Sequence, residues 1–326
     1  MTDSPWEPRF LEPEGWRWDY FTNAQGARLR FGYIDPANSN GIVVALPGLS
    51  EFGEKYFEVA RDMLARNLSF FVIDWRGQGK SDRYLPNPHR RHSAGFGSDV
   101  ADLQQMLAQH VIPRAGRRPL FMLAHSMGGH IGLRHLSEHA GIFACAAFSA
   151  PMLGILGTKV IPTALRVPVT ATLATLMGTN YVFGGGDWHP GFRDRQARAV
   201  LSGDPPRRAV HNGWCLRDPQ LQVGNVTYGW LHEAMVSCAT LNGSGIPESI
   251  RTPCLIGVAG RDMLVDNKAT RAFAKRLPYA QVLELEGAFH EILMERDEFR
   301  SRFLAAFDAL RAEAVENSSK QRQTRP

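Results

Sequence analysis

A serine in a run of small residues is the feature of this sequence that most directly suggests covalent chemistry. Ser126 lies in the run AHSMGG, residues 124–129, between an apolar segment at 120–123 and a helical pattern. A strand that turns sharply into a helix raises a serine Oγ above the sheet edge and directs helix N-terminal amides at the same place. Ala124 and Gly128 provide the small residues that such a turn needs. The pattern predicts a nucleophilic serine, although Ser-x-Gly also occurs by chance in such loops.

A serine hydroxyl is a weak nucleophile, so it needs a general base and a carboxylate that orients the base. His290 follows the apolar segment 281–285, and Asp262 follows the apolar segment 253–258. Both positions are strand ends, where open α/β sheets place their sites. The chain order serine, acid, histidine also matches a known order of such triads. We therefore predict Ser126, Asp262 and His290 as a catalytic triad.

Two other residues compete for these roles. Asp266 is the alternative acid, but its position one helical turn after Asp262 suits the cap of the helix that follows. His125 adjoins the serine, and we expect its side chain to point away from the Ser126 Oγ. Among the 11 histidines, His290 alone combines a strand end, the required chain order and a following helix.

The oxyanion of such a reaction needs two backbone N–H donors. The amide of Met127, directly after the serine, is one candidate. The loop at 46–51 follows the first buried strand, and we expect the amide of Leu49 to be the second donor. A different stretch, DWRGQGKS at 74–81, contains Gly-Lys-Ser but has Asp74 where a P-loop has glycine. It predicts a turn closed by Asp74 and Arg76, without nucleotide binding.

The elements that must position these residues appear as strands and helices in alternation. Apolar segments without polar alternation predict strands that are covered on both faces, as in a parallel sheet. They are residues 42–46, 70–73, 120–123 and 144–148. Helical patterns between them indicate a doubly wound, mostly parallel α/β sheet. Before these strands, residues 16–21 and 27–34 flank a short turn and predict an antiparallel hairpin.

This rhythm breaks after residue 150 and resumes at 253. The intervening residues carry scattered proline, glycine and threonine and few strand-like runs. We predict an α/β core at 1–150 and 240–316, a mainly helical cap inserted at 151–239, and a disordered tail at 317–326.

Composition narrows the class of protein. The chain of 326 residues is 44% hydrophobic and 21% charged, which is typical of a globular fold and not of a disordered chain. The net charge of +5 comes without a basic stretch interleaved with aromatic residues, so we expect no nucleic-acid partner. The four cysteines form no Cys-x-x-Cys pair, so we expect no zinc. The N-terminus lacks the pattern of a secretory signal, and we expect a cytoplasmic protein, with peripheral membrane contact.

Several motifs together resemble the lysophospholipase and monoacylglycerol lipase branch of the α/β-hydrolases, enzymes of the serine aminopeptidase S33 type. They are PGL at 47–49, EKY at 54–56, DWRGQGKS at 74–81, HSMGG at 125–129, Asp262, and His290-Glu291 followed by Glu295. The resemblance spans about residues 25–305. It implies the α/β-hydrolase fold, the triad and the two amides named above, and no metal or organic cofactor. Ala124 stands where glycine is usual, and Pro47 where histidine often precedes the glycine.

The resemblance also implies that the predicted cap lies over the site. Its many apolar residues suit an acyl chain or transient contact with a membrane surface. We therefore expect a carboxylic ester hydrolase for a lipid with one acyl chain, such as a lysophospholipid or a monoacylglycerol. An aminopeptidase or amidase of the same fold is an alternative, in which acidic cap residues would hold a free amine. A lipid-binding protein without activity is another, but an intact Ser, Asp and His set argues against it. The candidate cap acids are Asp187, Asp194, Asp204 and Glu233.

Overall fold

The computed structural model describes residues 6–191 and 201–323. The strands are β1 (Arg17–Thr22), β2 (Arg28–Ile34), β3 (Ile42–Leu46), β4 (Ser69–Ile73), β5 (Leu120–His125), β6 (Cys145–Ser149), β7 (Cys254–Ala259) and β8 (Ala280–Leu285). They form one sheet in the order β1-β2-β4-β3-β5-β6-β7-β8. β1 pairs antiparallel with β2, and β2 pairs antiparallel with β4. The other pairs are parallel: β4 with β3, β3 with β5, β5 with β6, β6 with β7 and β7 with β8.

The central strands are the ones that the sequence predicts as continuous apolar segments. Every residue of β3, β4, β5, β6 and β7 is buried. Such strands have no polar face because helices cover both sides of the sheet. The predicted fold class, a mostly parallel α/β sheet with an N-terminal antiparallel hairpin, is confirmed.

The helices of the described residues are α1 (Phe57–Ala65), α2 (Phe96–Met106), α3 (Ile112–Ala115), α4 (Ser126–Glu138), α5 (Thr163–Met177), α6 (Pro205–Arg217), α7 (Tyr228–Leu241), α8 (Ile246–Ser249), α9 (Asn267–Ala274) and α10 (Asp297–Gln323). A π-helical stretch, Leu107–Val111, joins α2 to α3. α4 packs against β3, β5 and β6, and α10 packs against β6, β7 and β8. No helix of the described residues is long and apolar enough to cross a membrane.

Among the described residues, the four helices α5 to α8 lie between β6 and β7, in the segment where the sequence loses its strand and helix rhythm. α5 packs against α7. Thr170 is the buried residue of α5, and the other side chains of this apolar helix are partly or fully exposed. The predicted cap at 151–239 falls within this segment, and its division from the core stays a prediction.

The final helix differs from the sequence-based expectation. α10 continues to Gln323, into the stretch 317–326 that was predicted to be disordered, and residues 324–326 lie outside the described part. Lys320 pairs with Glu316 at 2.6 Å, one turn earlier along the helix. Helix formation is cooperative, so a helix anchored at its start can extend through a polar end when such pairs support it.

Candidate active site

The turn at Ser126 has the conformation that the sequence predicts. β5 ends at His125 and α4 begins at Ser126, whose φ of 50° lies in the left-handed region. A residue other than glycine is held there at a cost of about 1–3 kcal/mol, and such strain is common at functional sites. Gly128 allows the close approach of α4 and β3, because a Cβ at this position would meet the carbonyl oxygen of Leu46. The serine is therefore held at the apex of a tight strand-to-helix turn.

The three residues predicted as a triad form one hydrogen-bonded chain. His290 Nε2 lies 2.9 Å from Ser126 Oγ, and His290 Nδ1 lies 2.6 Å from Asp262 Oδ2. The second carboxylate oxygen of Asp262 accepts the amides of Leu264 at 2.8 Å and Val265 at 3.0 Å. These two bonds orient the carboxylate, which in turn orients the imidazole. The arrangement is that of a nucleophile, a general base and an orienting acid.

The electrostatic surroundings of these hydrogen-bonded residues favour a charged pair of His290 and Asp262. Burial lowers the pKa of His290, but the charge and hydrogen bond of Asp262, with Glu291 and Glu51 nearby, outweigh burial and raise the pKa above its usual 6.5. Burial raises the pKa of Asp262, yet the contact with His290 and the two amides keep it below its usual value. Asp262 is therefore ionised at neutral pH, and it stabilises His290 when the imidazole gains a proton.

The two rival residues have other contacts. Asp266 caps α9 by accepting the amide of Lys268 at 3.0 Å, as its position predicts. His125 Nδ1 lies 3.0 Å from the carbonyl oxygen of Ser149, and its ring centroid is 4.8 Å from that of His290. Burial, the largest effect, lowers the pKa of His125 to about 4, so this ring is neutral. His125 thus packs beside His290 and bonds away from Ser126.

The two amides predicted as an oxyanion hole lie at this same edge of the sheet. Met127 is in the first turn of α4, where backbone N–H groups have no acceptor within the helix. Among the described residues, Gly48 and Ser50 donate their amides to side chains at 2.6 and 3.0 Å, while the amide of Leu49 between them has no acceptor. Leu49 lines the same cavity as Ser126. Their role as a pair of donors stays a prediction.

A buried ionic network beside the site was not assigned by sequence reasoning. Lys55 Nζ contacts Glu51 at 2.5 Å and Glu291 at 2.7 Å. Glu51 also accepts the Gly48 amide at 2.6 Å and the Tyr56 hydroxyl at 2.7 Å. Lys55 and Tyr56 belong to the EKY motif. Its charged residues directly before an amphipathic helix were the signal in the sequence that could have indicated this network. The network links the loop of Leu49 to the loop of His290.

Glu51, His125 and Glu291 offer ligand atoms within 4.8 Å of one another, a spacing compatible with a metal ion. The ammonium of Lys55 already lies against both carboxylates. This cation compensates the charge that a metal would otherwise neutralise, so the cluster is explained without an ion.

The predicted turn at 74–81 is closed by one of its two expected residues. Asp74 Oδ2 accepts the amide of Lys80 at 2.9 Å, while Arg76 lies over the ring of Tyr84, 4.2 Å from its centroid. The prediction for Arg76 was wrong because the guanidinium finds an aromatic face outside the turn. Arg30 takes the expected place and pairs with Asp74 at 2.6 Å.

A cavity of about 600 Å³ opens above the triad. Ser126 and His290 lie in its wall together with the polar side chains of Glu51 and Glu291. The remaining wall is mainly apolar and comes largely from the segment between β6 and β7. These apolar residues include Met152, Ile155, Val182, Phe183, Val223 and Trp230. A volume of this size is typical of a pocket for one small molecule.

The sheet order, the strained serine turn and the hydrogen-bonded triad together define a serine hydrolase of the α/β-hydrolase fold. The chain belongs to the family described as serine aminopeptidase, S33, whose model matches residues 37–297. This family, together with relatives named lysophospholipase and monoacylglycerol lipase, makes it a serine ester hydrolase.

Relatives of this chain carry lipase and lysophospholipase names. It is 32% identical to lysophospholipase L2 of Escherichia coli K12 over 88% of this chain and 84% of that protein. It is 24% identical to the monoacylglycerol lipase of Mycolicibacterium smegmatis, over 85% and 91% of the two chains. A soluble variant of monoglyceride lipase from Saccharomyces cerevisiae, solved with a substrate analog, has a TM-score of 0.71 and 20% identity over 96% of this chain and 98% of that one. This last similarity shows the fold alone.

Proposed function

We propose that this protein hydrolyses the ester bond of a lipid with a single acyl chain, a lysophospholipid or a monoacylglycerol. The observation that carries the proposal is the Ser126–His290–Asp262 chain at the base of a largely apolar cavity. A cavity of about 600 Å³ suits one acyl chain and its ester. The relatives named lysophospholipase L2 and monoacylglycerol lipase support the same class of substrate.

The proposed reaction follows from the geometry. His290 Nε2 accepts the proton of Ser126 Oγ as the oxygen attacks the ester carbonyl carbon. The carbonyl oxygen becomes an oxyanion between the amides of Leu49 and Met127. The C–O bond to the alcohol then breaks, and His290 gives its proton to the departing alcohol oxygen. Water, deprotonated by the same imidazole, releases the fatty acid from the serine and restores the enzyme.

Replacement of the nucleophile tests this proposal. Ser126→Ala should abolish hydrolysis of p-nitrophenyl butyrate and of a monoacylglycerol, and it should abolish labelling by a fluorophosphonate, because these reactions need the serine oxygen. Ser137→Ala is a matched control, since this serine lies later in α4 and its hydroxyl donates to the carbonyl oxygen of Arg134. The control should keep both activities. Continued labelling of folded Ser126→Ala would show that another residue is the nucleophile.

The apolar surface around the cavity supports a second part of the proposal, contact with a lipid surface. Leu176 on α5 is 73% exposed and Phe183, in the cavity wall, is 98% exposed. Exposed apolar side chains beside a lipid-binding cavity favour insertion into a lipid interface. Leu176→Glu should weaken binding to lipid vesicles, and it should leave hydrolysis of soluble p-nitrophenyl butyrate intact because Leu176 does not line the cavity. Val282→Glu, on the edge strand β8, is the control that should bind vesicles normally.

The amidase alternative has less support. Asp187, Asp204 and Glu233 are absent from the cavity wall, and Asp194 lies outside the described residues. Asp204 instead caps α6. A panel of p-nitrophenyl acyl esters and aminoacyl anilides separates the two activities, and we expect turnover of the esters alone. Inertness toward every activated ester would favour the lipid-binding alternative.

A further inference from the structure

A buried glutamine organises the loop that carries the amide of Leu49. Gln78 lies in the turn after β4 and is fully buried. Its Nε2 donates to the carbonyl oxygen of Gly48 at 2.8 Å and to that of Glu51 at 2.7 Å. Its Oε1 accepts the amide of Ser50 at 3.0 Å. One side chain therefore binds backbone groups on both sides of Leu49.

The loop needs this support because part of it is strained. Ser50 has a φ of 59°, a left-handed conformation that costs a residue other than glycine about 1–3 kcal/mol. Such a conformation persists only where surrounding contacts enforce it. The hydrogen bond from the Ser50 amide to Gln78 is one such contact, and the indole of Trp75, which donates to the carbonyl oxygen of Pro47 at 2.8 Å, is another.

Arg91 sets the orientation of the carboxamide. The fully buried Arg91 donates from Nε to Gln78 Oε1 at 3.1 Å, so this oxygen faces two donors while the nitrogen faces two carbonyl oxygens. Rotating the amide by 180° would place donors against donors and acceptors against acceptors, which excludes the other orientation. Arg91 Nη2 also lies 3.8 Å from the sulfur of Met127, beside the second predicted oxyanion donor.

We propose that Gln78 is the positioning residue for the oxyanion hole and that Arg91 holds Gln78 in place. Gln78 touches no reacting atom, and it acts through the loop by directing the amide of Leu49 at the developing charge. The inference rests on the proposed function, because it assumes that Leu49 and Met127 bind the oxyanion.

Two variants remove this support while keeping the size of the side chain. Gln78→Met removes all four hydrogen bonds that the Gln78 side chain makes, and Gln78→Glu removes both donated hydrogens. Loss of an oxyanion donor costs about 10²–10³-fold in kcat, and a displaced donor should cost roughly 10- to 100-fold. We expect this fall in kcat with p-nitrophenyl butyrate, with little change in KM, because the donor acts on the transition state.

An alkyl trifluoromethyl ketone distinguishes positioning from a general loss of structure. Its adduct with the serine carries an oxyanion, so its inhibition constant should rise by about the same factor as kcat/KM falls. A variant that merely contains less folded enzyme would lose kcat and keep this inhibition constant. Asn23→Ala is the matched control, because Asn23 is a buried amide that organises the β1–β2 turn with bonds to Ala27 and Asp102. Asn23→Ala should change neither kcat/KM nor the inhibition constant.

The outcomes separate this inference from the proposed function. An unchanged inhibition constant in Gln78→Met or Gln78→Glu would overturn the role of Gln78, even if kcat fell. If Ser126→Ala remained active, the proposed function would fail instead. A parallel change in kcat/KM and the inhibition constant, with an unaffected Asn23→Ala, would support the positioning role.

Discussion

Gly128 is the position at which the smallest change should disturb the whole site. It lies in the first turn of α4, close to the end of β3. A Cβ built on it would lie 2.5 Å from the carbonyl oxygen of Pro47 and closer still to that of Leu46, whereas ordinary contacts are 3.4–4 Å. Both neighbours are backbone and cannot rotate away. In Gly128→Ala, α4 and β3 must therefore separate by about 0.9 Å or more.

The expected loss of activity follows from the residues that α4 and β3 position. α4 holds Ser126 and Met127, and the residue after β3 leads into the loop of Leu49. A displacement of about 1 Å costs roughly 10²-fold in rate, so kcat/KM should fall by about that factor. Overpacking costs about 1–3 kcal/mol. Alanine in a helix recovers up to about 1 kcal/mol relative to glycine. We expect a net loss of about 1–2 kcal/mol in the free energy of unfolding.

Steady-state hydrolysis of p-nitrophenyl butyrate and urea unfolding measure the two quantities. Gly97→Ala is the matched control, because this glycine lies in α2 and the nearest atom to its Cβ would be Arg134 Nη2 at 3.9 Å. The control should gain up to about 1 kcal/mol of stability with unchanged kcat/KM. Wild-type activity and stability in Gly128→Ala would refute the reasoning.

Two further predictions concern charge. His290 must be neutral to act as a base and its pKa is raised above 6.5, so kcat/KM should fall as the pH drops through that raised pKa. In a pH–rate series, Asp262→Asn should move this fall to lower pH and lower kcat by about 10⁴-fold. An unmoved profile would contradict the assignment. The buried Arg207 on α6 pairs with Glu58 at 2.8 Å. Arg207→Met should cost up to about 3–5 kcal/mol in urea unfolding, because the buried Glu58 then keeps only its longer ion pair of 3.1 Å with the partly exposed Arg9. Arg271→Met, which breaks an exposed pair, should cost less than about 1 kcal/mol, and equal losses would show that burial does not decide the effect.

Much of the fold could be predicted from the sequence because its signals are local. Continuous apolar segments predicted strands such as β3 and β5, since a strand covered on both faces has no polar positions. The strand ends then located Ser126 and His290, because parallel strands end at a common edge. The end of α10 was not predicted, because a polar helix end resembles a disordered tail in composition.

The tertiary structure decided which residues meet. The sequence by itself determined the strand segments, and it predicted Ser126, Asp262 and His290 as nucleophile, acid and base. Only the structure showed that Asp262 reaches His290, that Lys55 joins Glu51 to Glu291, and that Gln78 binds the loop of Leu49. Apolar periodicity reflects local burial and is visible in a short window. A hydrogen bond between residues 164 positions apart, as between Ser126 and His290, depends on how the whole sheet packs.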